Sequence, residues 1–173
     1  MLGPVRPLLR RHPRRARDLL RRLVNAFLDL CTQANFHLEF GLQTTDHEVS
    51  KHIDRANRMD LVDTAIERLV QRGIPFEVSL IYGLPGQTLG SFQRSIDHLL
   101  SQGCTDVKAW PLMLLPGTKL YDQKDQWAMR EDAMGEFRIP VVTESNSYTR
   151  TEWEFMDRMA AQLLPTNRLE KVA

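Results

Sequence analysis

Three segments of this chain alternate apolar and polar residues at a period of two, with helical patterns between them. Phe36, Leu38, Phe40 and Leu42 point one way along the first; His37, Glu39, Gly41 and Gln43 point the other. Phe76–Tyr82 repeats the two-faced pattern, and residues 105–115 form a third extended run, ended by Pro116-Gly117. Successive side chains of an extended chain face opposite sides, so this period predicts strands. Leu61, Val62, Ala65, Ile66, Leu69 and Val70 recur at helical spacing over about 59–72, as do Phe92, Ile96, Leu99 and Leu100 over 89–101. Gly73 and Gly103 stand where those helices would end. Thr45-Asp46-His47-Glu48 offers a cap and an acidic first turn for a shorter helix near 47–53. The succession of strand, helix and strand predicts parallel strands joined by right-handed crossovers.

One polar face per strand limits the architecture further. Parallel sheets covered on both faces read as continuous apolar runs. Alternation instead suits a barrel-like sheet, with helices outside and a polar lumen inside. Three strands (near 36–43, 76–82 and 106–113) make only half of one. The expected fold is therefore α/β: an incomplete (βα) barrel of three parallel strands backed by helices. An N-terminal basic helix precedes it and a helical C-terminal extension follows. This divides the chain into residues 1–33, 34–118 and 119–173. In the last part, a helix around 119–134, an extended piece at 139–143 and an amphipathic helix near 150–164 are expected. Pro165 ends that helix, and the final eight residues are expected to fray.

A length of 173 residues with 42% apolar content suffices for one domain. No apolar run approaches the roughly 20 residues of a membrane span. The net charge of +1 conceals an asymmetry, because eight arginines and one acid, Asp18, fall in the first 22 residues. That leader reads as a helix from about 14 to 31, with Leu19, Leu20, Leu23, Val24, Phe27 and Leu30 on one face and arginines on the other. Phosphate binding and organelle targeting are the alternatives for such a segment. No aromatic residue interleaves the basic run, which counts against a nucleic-acid partner. The two cysteines, Cys31 and Cys104, lack disulfide or zinc spacing and read as small buried hydrophobes, consistent with a reducing cytoplasm. His37 and Glu39 share a strand face without a third metal ligand, so no metal site is expected from this chain.

Three strand-end strings carry chemical information in their order. The first is Glu39-Phe40-Gly41-Leu42-Gln43-Thr44; the second is Leu80-Ile81-Tyr82-Gly83-Leu84-Pro85-Gly86-Gln87-Thr88; the third is Pro116-Gly117-Thr118. Together they resemble the later half of a radical S-adenosylmethionine (radical SAM) enzyme. The second string is similar to that of the oxygen-independent coproporphyrinogen oxidase-like and cobalamin-binding branches. The resemblance implies a function for the complete protein: a reduced four-iron (4Fe–4S) cluster cleaves S-adenosylmethionine, and the resulting radical abstracts hydrogen from a small-molecule substrate. It also admits cobalamin as a further cofactor.

The same resemblance assigns cofactor-binding residues. Gln43 would meet the ribose hydroxyls, with Glu39 beside it on the same face. Arg55 would pair with the methionyl carboxylate, a task suited to a permanently charged, bidentate guanidinium. Gly83, Pro85 and Gly86 would form a turn close to the ligand, and Thr88 would cap the helix behind it. Ser79 stands where those relatives often carry an aspartate. The third strand would meet the adenine, and on it Trp110 reads as a packing residue rather than a stacking one.

The family's cluster loop, Cys-x3-Cys-x2-Cys, does not occur in this sequence. Alone, the chain is therefore expected to be inactive and to present a bare edge at the first strand. The missing half of the barrel, or a partner chain, would cover that edge. The alternative is a non-catalytic binding or scaffold module derived from a degenerate radical SAM barrel.

Overall fold

A computed structural model describes residues 13–34, 36–55, 57–136 and 138–163, with side chains from residue 22 onward. The leader through residue 12 and the tail from residue 164 lie outside the described residues, as do the expectations placed on them. The elements run α1 (Pro13–Ala34), β1 (Leu38–Gln43), α2 (His47–His52), α3 (Met59–Gln71), β2 (Phe76–Tyr82), α4 (Leu89–Ser101) and β3 (Val107–Pro111). Then come α5 (Lys119–Asp122), β4 (Arg130–Met134), β5 (Ile139–Glu144) and α6 (Arg150–Gln162).

The first three strands form one parallel sheet in the order β1-β2-β3. Alternation decides its faces. Phe76, Val78, Leu80 and Tyr82 of β2 are buried, together with Val107 and Ala109 of β3. Helices cover this side: the Tyr82 ring lies 5.7 Å from Phe92 of α4 and 5.7 Å from Trp153 of α6. Phe92, Leu99 and Met156 complete a fully buried centre. The opposite face carries Glu39, Glu77, Ser79 and Lys108, matched across the ladder as Glu39 with Glu77 and Ser79 with Lys108. The architecture is thus the expected partial barrel, with the polar faces of neighbouring strands in register.

Local chemistry sets the boundaries. Asp46 accepts hydrogen bonds from the backbone N–H groups of Glu48 and Val49 and starts α2. Thr88 and Thr149 begin α4 and α6 in capping boxes with Ser91 and Glu152. The ladder of β3 ends at Pro111, short of the expected 113, level with Tyr82 at the end of β2. Leu112 resumes the pairing through its N–H to the Tyr82 carbonyl at 2.9 Å.

One expectation is corrected. The helix placed over 119–134 exists only as α5; residues 130–134 form a strand that pairs antiparallel with β5. Arg-Glu-Asp-Ala-Met has adequate helix propensity, but distant partners override it. Thr143 and Arg150 both hold Asp132, and Val141 and Val142 of β5 are buried. The Val142 N–H donates to the Leu112 carbonyl at 2.8 Å and ties the hairpin to the carboxyl end of the sheet. The extension is therefore mixed rather than helical.

The expected N-terminal helix is α1. The apolar face read from the sequence is largely bare: Leu23, Val24, Phe27 and Leu30 are 40–58% exposed, and Leu28 and Cys31 are the buried residues. Phe36, Phe40 and Leu61 are also exposed beside it. Here β1 is an edge strand, with no element in the sheet beyond it among the described residues.

Candidate functional site

Gln43 and the Gly83–Thr88 turn lie at the carboxyl ends of β1 and β2, whereas Glu39 and Ser79 lie further back along those strands. Gln43 closes β1 with a positive φ of 65°, where the ladder to β2 is also irregular between Gly41 and Gln43. Its Oε1 is buried and, among the described residues, has no hydrogen-bond partner. A Cβ on residue 41 would sit 2.7 Å from Gln43 Nε2, so a larger residue there would push the amide aside. Burying an acceptor without a partner costs about 1–3 kcal/mol. A strained backbone and an orphaned amide oxygen at one residue are the combination expected where a ligand completes the bonding.

Arg55 lies two turns of chain beyond. Its N–H donates to the Ser50 carbonyl at 2.8 Å, and its side chain is exposed, without an ion-pair partner among the described residues. It lines an open cavity of about 450 Å³ together with Glu39, Gly41, Leu42 and Asn57. Asn57, which the sequence did not single out, fixes this corner. Its Nδ2 donates to the carbonyls of Leu42 (2.9 Å) and Thr44 (3.1 Å). Glu39 is exposed on β1, and Ser79 donates to Glu77 Oε1 at 3.0 Å in the lumen.

The turn after β2 is built from its own residues. Gly83 and Gly86 both have positive φ, 88° and 76°, which L side chains resist. Gln87 is 1% exposed and knits the turn: Oε1 accepts from the N–H groups of Gly83 (2.8 Å) and Leu84 (3.2 Å), and Nε2 donates to the Ile81 carbonyl (3.1 Å). The Tyr148 hydroxyl donates to the Gly83 carbonyl at 2.7 Å from the segment between β5 and α6. Burial pushes the Tyr148 phenol above its ordinary range, so it remains a donor. Pro85 is buried, and Thr88 is committed to capping α4. Gln87 and Tyr148 were missed as site residues. The first stood inside the quoted string; the second had no signal in the sequence.

The lumen face holds a buried ion pair between Glu77 and Lys108. Burial alone would raise the Glu77 carboxyl, but hydrogen bonds from Lys108 and Ser79 and the Lys108 charge outweigh it and hold its pKa low. His37, Glu77 and Asp106 bring ligand atoms within 4.8 Å of one another at the amino ends of the strands. His37 finds its acidic neighbours across the sheet, rather than at Glu39 along its own strand. Both Glu77 oxygens are already engaged, so the trio has two groups with spare capacity, not three. Trp110, expected to pack, is 50% exposed beside Lys108, and no ring lies against it among the described residues.

Cys31 and Cys104 are both buried and unpaired. Burial pushes the Cys104 thiol up to about 11, away from the thiolate a cluster requires. Two such thiols do not fit a four-iron cluster. The orphaned Gln43 amide, the glycine beneath it and the unpaired Arg55 do fit a ligand that carries hydroxyls and a carboxylate.

No family model matches the chain. The sheet with helices on one face and the strand-end turns is the fold of part of a radical SAM protein. Three comparisons carry this. The heme chaperone HemW of Bacillus subtilis (strain 168) is 35% identical over 88 residues, which is 49% of this chain and 23% of that protein. The structure of HemN from Escherichia coli, a coproporphyrinogen III oxidase described as a radical SAM enzyme, superposes with a TM-score of 0.55 at 18% identity. The match covers 79% of this chain and 29% of HemN. The radical SAM methyltransferase TsrM from Kitasatospora setae, solved with tryptophan substrate and a SAM analogue, gives 0.60 at 14% identity, over 81% of this chain and 34% of TsrM. TsrM has also been solved with cobalamin and a [4Fe–4S] cluster. The chain therefore spans about a quarter to a third of the length of these relatives.

Proposed function

We propose that this chain is the S-adenosylmethionine-binding part of a radical SAM enzyme. The observation that carries the reading is the buried, unpartnered Gln43 Oε1 above Gly41. Gln43 would take the ribose hydroxyls, Arg55 the methionyl carboxylate, and the Gly83–Thr88 turn with Ser79 and Glu39 the remaining polar surface. In the complete enzyme S-adenosylmethionine, with a reduced cluster, supplies a deoxyadenosyl radical that abstracts hydrogen from a small organic substrate. The cluster ligands must come from elsewhere, and a cobalamin would likewise be bound outside this chain. The unpaired thiols favour a cytoplasmic setting; no helix among the described residues is long and apolar enough to cross a membrane.

The remaining half of the barrel, in the same polypeptide or a partner chain, would add a parallel strand to the free edge of β1. Its helix would fill the apolar groove of about 330 Å³ lined by Val24, Phe27, Leu38, Phe40 and Leu61. That same open groove supports the second reading, a scaffold module that engages a partner without catalysis.

Equilibrium dialysis of S-adenosylmethionine against the full chain separates the two. Enzyme ancestry with a retained site predicts binding that Arg55→Ala weakens about tenfold or more and Gln43→Ala about threefold to tenfold, the range of charge-assisted and neutral hydrogen bonds. Binding that ignores both substitutions sinks the site assignment. Anaerobic reconstitution with iron and sulfide should leave the chain colourless; a stable brown monomer that cleaves S-adenosylmethionine would overturn the division of labour.

A further inference from the structure

His52 ends α2 and belongs to none of the strand-end strings, yet its ring joins three parts of the site. The imidazole centroid lies 4.6 Å from that of Trp127, with the planes inclined at 52°. On another side the ring occupies the space that a side chain on Gly86 would need: a Cβ there would come within 2.5 Å of Nδ1. Nδ1 is 3.2 Å from the Pro85 carbonyl oxygen. A carbonyl can only accept, so Nδ1 carries the proton and donates. The segment that supplies Trp127 is itself tied down. The Asn146 N–H donates to the Trp127 carbonyl at 2.9 Å, and Lys119 Nζ reaches Asp54 Oδ2 at 2.5 Å. Asp54 and Arg55 follow His52 with one intervening residue, and Asp54 has a positive φ of 52°.

We infer that His52 is a positioning residue: braced by Trp127, it fixes the Gly83–Gln87 turn and the Arg55 arm relative to each other without touching the ligand. The inference rests on the site reading given above. Residues in left-handed backbone persist only where their surroundings over-determine them. Gly83 is held by Gln87 and Tyr148, and the His52 ring lies against Gly86. An arginine on a loosely held loop must lose backbone freedom before it can pair with a carboxylate; a pre-set loop avoids that loss. The segment 119–127, beyond the strands themselves, thereby becomes part of the site's support.

Amide hydrogen exchange on the full chain, without ligand, tests this directly. In His52→Ala the Gly83, Leu84 and Arg55 amides should exchange about tenfold faster, with the centres of α4 and α6 unchanged. His52→Gln, whose amide keeps a donor for the Pro85 carbonyl, should stay within about twofold of wild type, and Trp127→Ala should reproduce His52→Ala. Gly86→Ala adds a second check: its loss of melting temperature should be smaller in the His52→Ala background, because the clash is gone while the strain of positive φ remains. Unchanged exchange at Gly83, Leu84 and Arg55, or an equal rise throughout the chain, overturns the inference. Should His52→Ala fail to fold, His52→Gln decides: protection at both turn and arm supports the brace, and tenfold faster exchange there refutes it. The dialysis of Gln43→Ala described above decides the site reading separately. If the site holds, His52→Ala should also weaken S-adenosylmethionine about tenfold, with recovery in His52→Gln.

Discussion

Replacing Gln87 by methionine tests whether the turn after β2 is held from within. Methionine keeps most of the volume and removes every polar contact of the side chain. Three buried groups then lose their partners: the N–H groups of Gly83 and Leu84 and the Ile81 carbonyl. At about 1–3 kcal/mol for each unsatisfied group, less some recovery through burial of the thioether chain, the net loss should be about 3–5 kcal/mol. Whole domains are stable by only about 5–15 kcal/mol, so this is a large fraction. It corresponds to a fall in Tm of about 10 °C or more for a chain of this size. Urea unfolding followed by tryptophan fluorescence measures it, with Thr88→Ala as the reference. That substitution removes only the hydroxyl that accepts from the Ser91 N–H and should cost about 1 kcal/mol. If Gln87→Met were no more destabilising than Thr88→Ala, the internal girder would be refuted and Gln87 would have to be read as ligand-facing.

Two further outcomes follow from the titratable groups. Glu77 has its folded pKa held below the ordinary 4.5, chiefly because its bonds to Lys108 and Ser79 outweigh its burial. Its contribution is therefore present above about pH 4.5 and lost as pH falls through the lowered folded value. In Lys108→Met the buried carboxylate loses a partner, its pKa should rise, and acidification from pH 6 to 4 should stabilise rather than weaken the protein; continued loss of stability over that range in urea titrations would contradict this. The Cys104 thiol, raised to about 11 by burial, should resist iodoacetamide at pH 8 in the native chain and react fully in denaturant, as read by mass spectrometry. Modification of native Cys104 within minutes would show that its surroundings open readily.

Much of the scaffold was legible because its signals are local. Alternation in residues 36–43 and 76–82 and helical spacing over 59–72 and 89–101 need only the chain's own periodicity, and the helix ends needed only Asp46, Thr88, Gly73 and Gly103. The glycines of the turn after β2 were equally readable, since a positive φ is a property of a single residue. The sequence by itself thus determined the order of elements, the parallel connection and the polar lumen face. Tertiary structure alone decided which polar atoms were left over. That Gln43 Oε1 is an orphan while Gln87 is fully engaged depends on Gly41 and on three backbone groups brought round by the turn. That residues 130–134 are a strand depends on Thr143, Arg150 and Leu112. That His52 braces the turn depends on Trp127, 75 positions along the chain. Contacts of this range have no period and no spacing rule, because they arise only once the sheet has set the distance between the elements that make them.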